Sequence, residues 1–409
     1  MSNRVLVIGY GVSGKSAVSW LRTQGCDVVI ADRQGGEGIL LDSSAIDLSG
    51  ISQVILSPGV PLTHPLVVQA LAKGLEVIGE IELGFRFLRN RCIAITGSNG
   101  KTTTVLLTVH ILNQAGVQAR ALGNVGVSLT SYLMNLDPQD VLIVELSSFQ
   151  LESMQSRCLD EAYVLNISPN HLDRYHSMDS YVQAKARLKL FLKEGAPLFV
   201  SKQILETYPD AFAGAEGFEK ELAWLNRLRY TQWEMPSKQS VQAAYLICSR
   251  CGVTDEDFLR GLQTFRKPAH RIEWVAEIHG VSYYNDSKSS NIESTVHAVE
   301  KFEGSVILIV GGLHKGSSYA PWVRAFQGKV RQLIAYGQAS SIMEKELASH
   351  FMFRRLEKFA DAVRYAQSEA QPKEVVLLSP GCSSYDQFRN YEHRGEEFKR
   401  LVCEAVREE

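Results

Sequence analysis

The run Cys92-Ile93-Ala94-Ile95-Thr96-Gly97-Ser98-Asn99-Gly100-Lys101-Thr102-Thr103-Thr104 leaves few folds open. It starts apolar, with β-branched residues at alternate positions, and reads as a buried strand. It turns through two glycines and Ser98-Asn99, then continues with apolar residues at helical spacing. A strand, a glycine loop and Lys-Thr at a helix start point backbone N–H groups at a phosphate. Lys101 is placed to reach the β- and γ-phosphates, and the Thr102 hydroxyl to hold Mg²⁺. A strict pattern has glycine where Ile95 stands, so the loop is a variant.

The other 396 of the 409 residues bound the setting. The length predicts two to four domains, each with its own core. A net charge of -2 gives no reason to expect a nucleic acid or membrane-surface partner. No apolar run approaches the ~20 residues that span a bilayer, and Arg4-Val5-Leu6-Val7-Ile8 enters a strand with no signal-peptide pattern. Seven scattered cysteines fit a reducing cytoplasm. Cys248-Ser249-Arg250-Cys251 lies in a helical pattern and reads as two buried thiols one helical turn apart.

The chain opens on a look-alike. Gly9-Tyr10-Gly11-Val12-Ser13-Gly14-Lys15-Ser16 satisfies G-x-G-x-x-G, and it fits the phosphate-loop pattern with Lys-Ser better than residues 97–102 do. Asp32 ends a second apolar strand about 20 residues past the glycines, as a dinucleotide-type fold requires. Residues 1–80 are therefore expected to form a Rossmann-like unit holding a nucleotide diphosphate, with Asp32 near a ribose. A third strand, 53–56, runs into Ser57-Pro58-Gly59-Val60-Pro61. A helix from Ile81 to Leu88 leads on. Val141–Glu145 predicts a buried strand ending in a carboxylate, the natural Mg²⁺ partner of a phosphate loop. Ala162–Ile167 predicts another, followed by His171. Ser180–Lys193 reads as a basic amphipathic helix with Lys185 on its solvated face. Residues 196–236 carry no chemical signal. Helices are expected at 240–251 and 255–265, then a linker at 267–271. After it, strands empty into polar or glycine loops at 285–291, 311–316, Gly337 and 379–381, implying a third α/β sheet.

Together these features resemble the Mur ligases of bacterial peptidoglycan synthesis, over nearly the whole chain. The resemblance rests on Thr96–Thr103, on Glu145-Leu146-Ser147-Ser148-Phe149-Gln150-Leu151, and on Ser379-Pro380, Ser384-Tyr385-Asp386-Gln387-Phe388 and Arg394-Gly395-Glu396-Glu397-Phe398. It implies three α/β domains: a Rossmann-like N-terminal domain at 1–80, a central P-loop ATPase domain at 81–267 and a Rossmann-like C-terminal domain at 268–409. It implies ATP-dependent addition of D-glutamate to UDP-N-acetylmuramoyl-L-alanine by a cytoplasmic monomer. Gly97, Ser98, Asn99, Gly100, Lys101, Thr102, Thr103 and Asn124 would hold ATP, with Arg271 and Asp286. Thr102, Glu145, His171 and Lys185, the last as a carbamate, would hold two Mg²⁺. Val12, Ser13, Asp32, Arg33 and Gly59 would take the UDP sugar. Lys288, Ser290, Lys315, Ser384 and Tyr391 would take D-glutamate or the reacting centre. Three departures stand out: Lys238-Gln239-Ser240-Val241-Gln242 where asparagines are usual, Leu313-His314 before Lys315, and Tyr391 where Phe is common. The 196–236 stretch is also short for the family. A folate-polyglutamate ligase shares the central loop; a nucleotide-state switch or an NAD-dependent oxidoreductase would follow from one glycine loop alone.

Overall fold

A computed structural model describes residues 4–43, 45–219 and 236–407. The end of the weakly informative 196–236 stretch, 220–235, lies outside them. Among the described residues the strands form three sheets. The first is formed by β1 (Arg4–Ile8), β2 (Asp27–Asp32), β3 (Leu40–Leu41), β4 (Ile51–Leu56) and β5 (Glu76–Gly79). All its pairings are parallel, in the order β3-β2-β1-β4-β5. β6 (Cys92–Thr96), β7 (Ala119–Gly123), β8 (Val141–Glu145), β9 (Glu161–Val164), β10 (Leu198–Val200) and β11 (Glu216–Gly217) form the second. Its order is β11-β10-β9-β6-β8-β7, again parallel. The unbroken apolar runs of β6 and β8 follow from helices covering both faces of a parallel sheet; every β6 residue is buried.

The third sheet contains β12 (Glu273–Ile278), β13 (Val281–Asn285), β14 (Val306–Gly311), β15 (Val330–Tyr336), β16 (Met352–Leu356) and β17 (Val375–Leu378). Its order is β12-β13-β17-β14-β15-β16. β12 is an antiparallel edge strand on an otherwise parallel sheet. No apolar run marks it, because five of its six residues are exposed or only partly buried and its partner is supplied by a hairpin turn.

By packing, the chain divides into two compact units. One holds the first two sheets; the other holds the third sheet together with Ser168–Tyr181. Within the first unit, the helix Val12–Thr23 and the helix Leu129–Tyr132 meet through buried hydroxyls. Ser16 Oγ lies 2.6 Å from Thr130 Oγ1, 2.8 Å from Ser131 Oγ and 2.7 Å from Ser128 Oγ. Buried Glu80 accepts from Thr130 N at 2.8 Å and from its hydroxyl at 2.7 Å.

Several element ends differ from expectation, each for a local reason. The helix expected at 81–88 is Glu80–Phe85; beyond it the backbone tightens to i→i−3 bonds, Phe87 N to Gly84 O and Leu88 N to Phe85 O. β9 stops at Val164, not Ile167, because Asn166 leaves the ladder to bond the phosphate loop. The helix expected at 180–193 is Met178–Ala186 followed by a 3₁₀ turn, Arg187–Phe191. The helix expected from Ser240 begins at Lys238, where the Ser237 side chain caps it by accepting from Ser240 N. Of the two thiols expected to be buried there, Cys248 is buried, but Cys251, just past the helix end, is only partly buried.

Candidate active site

The phosphate loop joins β6 to the helix Lys101–Gln114. Gly100 takes φ +79° at the helix N-terminus, a left-handed conformation that disfavours a side chain. Lys101 Nζ folds back on the loop, 2.7 Å from Gly97 O and 3.0 Å from Ser98 O. The loop's shape is set by Asn166, which no motif in the sequence marks. Asn166, just past β9, accepts from Ser98 N through its carbonyl at 2.9 Å. Its Oδ1 accepts from Asn99 N at 2.8 Å and its Nδ2 donates to Asn99 O at 3.2 Å. The same Nδ2 donates to Gln239 Oε1 at 2.8 Å. Gln239, one of the departures, is therefore part of the loop's clamp. An amide at the end of a buried strand beside a glycine loop was the available signal.

Glu145 ends β8, the strand next to β6, opposite Ile95. It is 1% exposed. Oε1 accepts from Asn124 Nδ2 at 2.7 Å, and buried Oε2 has no hydrogen-bond partner among the described residues. A buried carboxylate oxygen without a donor is costly unless a cation meets it, so this strand end fits a hard cation. No group of three or more His, Cys, Asp or Glu gathers among the described residues. Mg²⁺ needs no such cage, since it is usually held by one or two carboxylates, waters and phosphate oxygens.

Lys185 is not on a solvated helix face. It is 1% exposed, with Nζ 3.0 Å from Gly97 O and 3.4 Å from Thr96 Oγ1. Burial, then the nearby Lys101 charge, push its ammonium well below the usual lysine range, against the pull of Glu145. Most of its neighbours in sequence are buried too: Val182, Ala184, Ala186 and Leu188. The exposed lysines of the segment disguised this in the sequence. His171 adopts φ +57° at the start of the turn Leu172–Tyr175, in the unit of the third sheet.

At the N-terminal loop, Asp32 holds the glycine turn. Oδ2 accepts from Tyr10 N at 2.8 Å and Oδ1 from Gln34 N at 3.0 Å. These bonds, that from Tyr10 first, lower its pKa. Val12, Arg33 and Gly59 are exposed and Ser13 half-exposed, all at the C-terminal edge of the first sheet, where ligands of open α/β sheets bind.

In the second unit, Asp286 is 3% exposed. It accepts from Ser379 Oγ at 2.8 Å and from Ile272 N at 3.2 Å, so it shapes the turn next to Arg271. Burial raises its pKa to about 6 despite bonds from Ser289 and Ser379. Lys288 Nζ sits 3.6 Å from the Tyr391 ring centroid, a cation–π contact. Lys315 Nζ donates to Ser290 Oγ at 3.1 Å. Ser384 is buried one residue past the bridge between Leu313 and Ser383. Two of the signature residues, Gln387 and Arg394, are scaffold. Gln387 Oε1 accepts from Phe359 N and its Nε2 donates to Glu357 O. Arg394, fully buried, donates to Ser287 Oγ at 2.9 Å, Ser287 O at 2.8 Å and Cys382 O at 3.2 Å. It thus ties the loop after β13 to the loop after β17.

Family profiles match all three parts of the chain: a MurD-like N-terminal domain of Mur ligases at 3–79, the Mur ligase middle domain at 95–210, and the Mur ligase glutamate ligase domain at 270–382. The UDP-N-acetylmuramoylalanine–D-glutamate ligase of Protochlamydia amoebophila is 40% identical, over 98% of this chain and 97% of its own. That of Alkaliphilus metalliredigens is 34% identical over 99% of each. Among solved structures, MurC of Thermotoga maritima superposes with a TM-score of 0.62 at 15% identity, covering 98% of this chain and 99% of its own. MurF of Thermotoga maritima in complex with ADP gives 0.60 at 14% identity, covering 99% and 96%. A bifunctional folylpolyglutamate/dihydrofolate synthase of Yersinia pestis gives 0.60 at 16% identity, covering 79% of this chain and 92% of its own.

Proposed function

The chain belongs to the Mur ligase family, and on that premise we propose its reaction: ATP-dependent joining of D-glutamate to UDP-N-acetylmuramoyl-L-alanine in peptidoglycan precursor synthesis. The near full-length match to ligases bearing that name carries this reading. A carboxylate does not acylate an amine unaided. We assign the route through an acyl phosphate: the ATP γ-phosphoryl passes to the alanine carboxylate, and the D-glutamate amine displaces phosphate. Such transfer depends on positioning and charge neutralisation more than on covalent chemistry by the protein.

The phosphate loop Gly97–Thr103 supplies the backbone donors and Lys101 the cation, with Asn124, Arg271 and Asp286 as further nucleotide residues. Val12, Ser13, Asp32, Arg33 and Gly59 receive the UDP sugar. Lys288, Ser290, Lys315, Ser384 and Tyr391 receive D-glutamate. Bound Mg²⁺, held by Thr102, Glu145, His171 and Lys185, would neutralise phosphate charge. The orphaned Glu145 Oε2 supports that site. Lys185 suits carbamylation because its burial favours the neutral amine, the form that adds to CO₂; the product is an anion in place of a cation. We place the enzyme in the cytoplasm as a monomer. Among the described residues no helix is long and apolar enough to cross a membrane.

Phosphate release from Mg²⁺-ATP with UDP-N-acetylmuramoyl-L-alanine tests the assignment, comparing D-glutamate, L-glutamate and no amino acid. Release and ligated product with D-glutamate alone are expected. Release indifferent to the amino acid would overturn the substrate assignment.

A further inference from the structure

Beside Lys315 stands a side chain that the mechanism above leaves unused. The loop after β14 and the loop after β17 are joined by two backbone bonds, Leu313 N to Ser383 O at 2.9 Å and Ser383 N to Leu313 O at 3.2 Å. The cleft there is lined by Asn170, Ser290, Asn291, His314 and Lys315. His314 Nδ1 lies 2.9 Å from the Tyr319 hydroxyl, which lies 3.0 Å from Cys382 Sγ. Both partners are buried. Burial pushes the Cys382 thiol up to about 11 and raises the Tyr319 phenol, so both keep their protons at neutral pH. Either Tyr319 contact could run in either direction, but an imidazole nitrogen is a far stronger acceptor than a thiol sulfur, so the phenol proton is directed at Nδ1 and the thiol donates to the Tyr319 oxygen. The ring proton then resides on Nε2, because the tautomer follows the bond made by the other nitrogen. In the same cleft wall, buried Asn170 Oδ1 has no hydrogen-bond partner among the described residues. The cleft thus offers a cation, an imidazole N–H and an unused carbonyl acceptor, which together suit an amino acid bearing a second carboxylate.

We propose that His314 is a specificity residue for the amino-acid substrate: its Nε2–H, with the Lys315 ammonium, receives the side-chain carboxylate, while Asn170 Oδ1 accepts from the amine. This rests on the D-glutamate ligase reading and extends it to a residue with no assigned role. Steady-state kinetics of the full chain test it, with ATP, UDP-N-acetylmuramoyl-L-alanine and D-glutamate varied separately. Wild type is assayed first; no D-glutamate-dependent turnover there would remove the function reading and this inference with it. Given an active wild type, His314→Ala should raise the KM for D-glutamate about 10-fold, the scale of one charge-assisted hydrogen bond. Its kcat and the other two KM values should stay within about 2-fold. His314→Gln, which keeps an N–H donor, should recover part of the loss, and Tyr319→Phe should show a smaller rise. The preference for D-glutamate over D-glutamine should shrink in His314→Ala. A D-glutamate KM unchanged in His314→Ala, or a joint rise in all three KM values, would overturn the proposal.

Discussion

Two glycine loops in this chain end in lysine and a hydroxyl residue, and the poorer match to the phosphate-loop pattern is the one we assign to ATP. At Gly9–Ser16, the hydroxyl of Ser16 is buried among Ser128, Thr130 and Ser131. Lys15 is exposed, 5.6 Å from the Tyr10 ring centroid. Gly14 is required because a Cβ there would collide with Gly9 O. The acidic strand beside it ends in Asp32, whose two oxygens hold backbone amides. At Gly97–Thr102 the hydroxyl residue is only half-buried, the lysine lies on the loop's own carbonyls, and the neighbouring strand ends in a carboxylate with one oxygen unpartnered among the described residues. Residue identity does not separate the two loops. The partner of the hydroxyl and the state of the neighbouring carboxylate do.

The largest effect that could break this contrast comes from the lysines. Lys101→Ala should lower ligase kcat by about 10³-fold or more, as expected when phosphoryl-transfer charge stabilisation is lost. Lys15→Ala should leave kcat within about 2-fold, measured in the same phosphate-release assay. Equal losses would erase the distinction.

Lys185→Met should abolish turnover and yet stabilise the fold. With the folded pKa depressed, the unfolded chain binds more protons below the normal lysine pKa, so this group opposes folding at neutral pH and its penalty fades as pH rises toward about 10. An apolar side chain of similar length removes the penalty. Thermal unfolding should show a rise of roughly 2–4 °C per kcal/mol recovered. A lower Tm with retained activity would refute the buried, functional reading of Lys185.

The hydroxyls sharpen the comparison in opposite directions. Ser16→Ala should cost about 1–3 kcal/mol in urea unfolding, since it leaves buried partners unsatisfied. Thr102→Ala should change stability little and raise the Mg²⁺ concentration needed for half-maximal turnover. The smallest effect is at Asp286. Its raised pKa makes its contribution to folding most favourable below about pH 4, the unfolded value, and lost as pH rises through about 6. Asp286→Asn should flatten that part of the stability profile, seen as the wild-type-minus-variant difference in urea midpoint between those pH values. A difference independent of pH would show that the carboxylate is not perturbed.

Strand-forming runs were legible wherever both faces of a sheet are covered, as at β6, β8 and β14, because continuous burial writes a continuous apolar run. Edge strand β12 was not, since a half-buried strand borrowing its partner from a hairpin carries no such run. The loop residues at the site were legible by type: Lys101, Thr102 and Glu145 each have chemistry that few other residues supply. Lys185 was singled out only through the family resemblance. Its own helix looks basic and solvated, and its burial depends on the β6 strand end nearly ninety residues earlier. Asn166 was missed because its role is to hold backbone, which leaves no mark beyond a lone amide.

The strand order of the third sheet bears on how the protein is made. β17 sits in the middle, between β13 and β14, yet it comes near the end of the sequence, at Val375–Leu378. During synthesis, β13 and β14 emerge with facing edges that have no strand to share until that late segment arrives. Buried Arg394, which ties the loops of β13 and β17, comes later still. The domain is therefore translated almost whole before its sheet can close, and nascent chains halted short of β17 will present open strand edges, the species on which chaperones act.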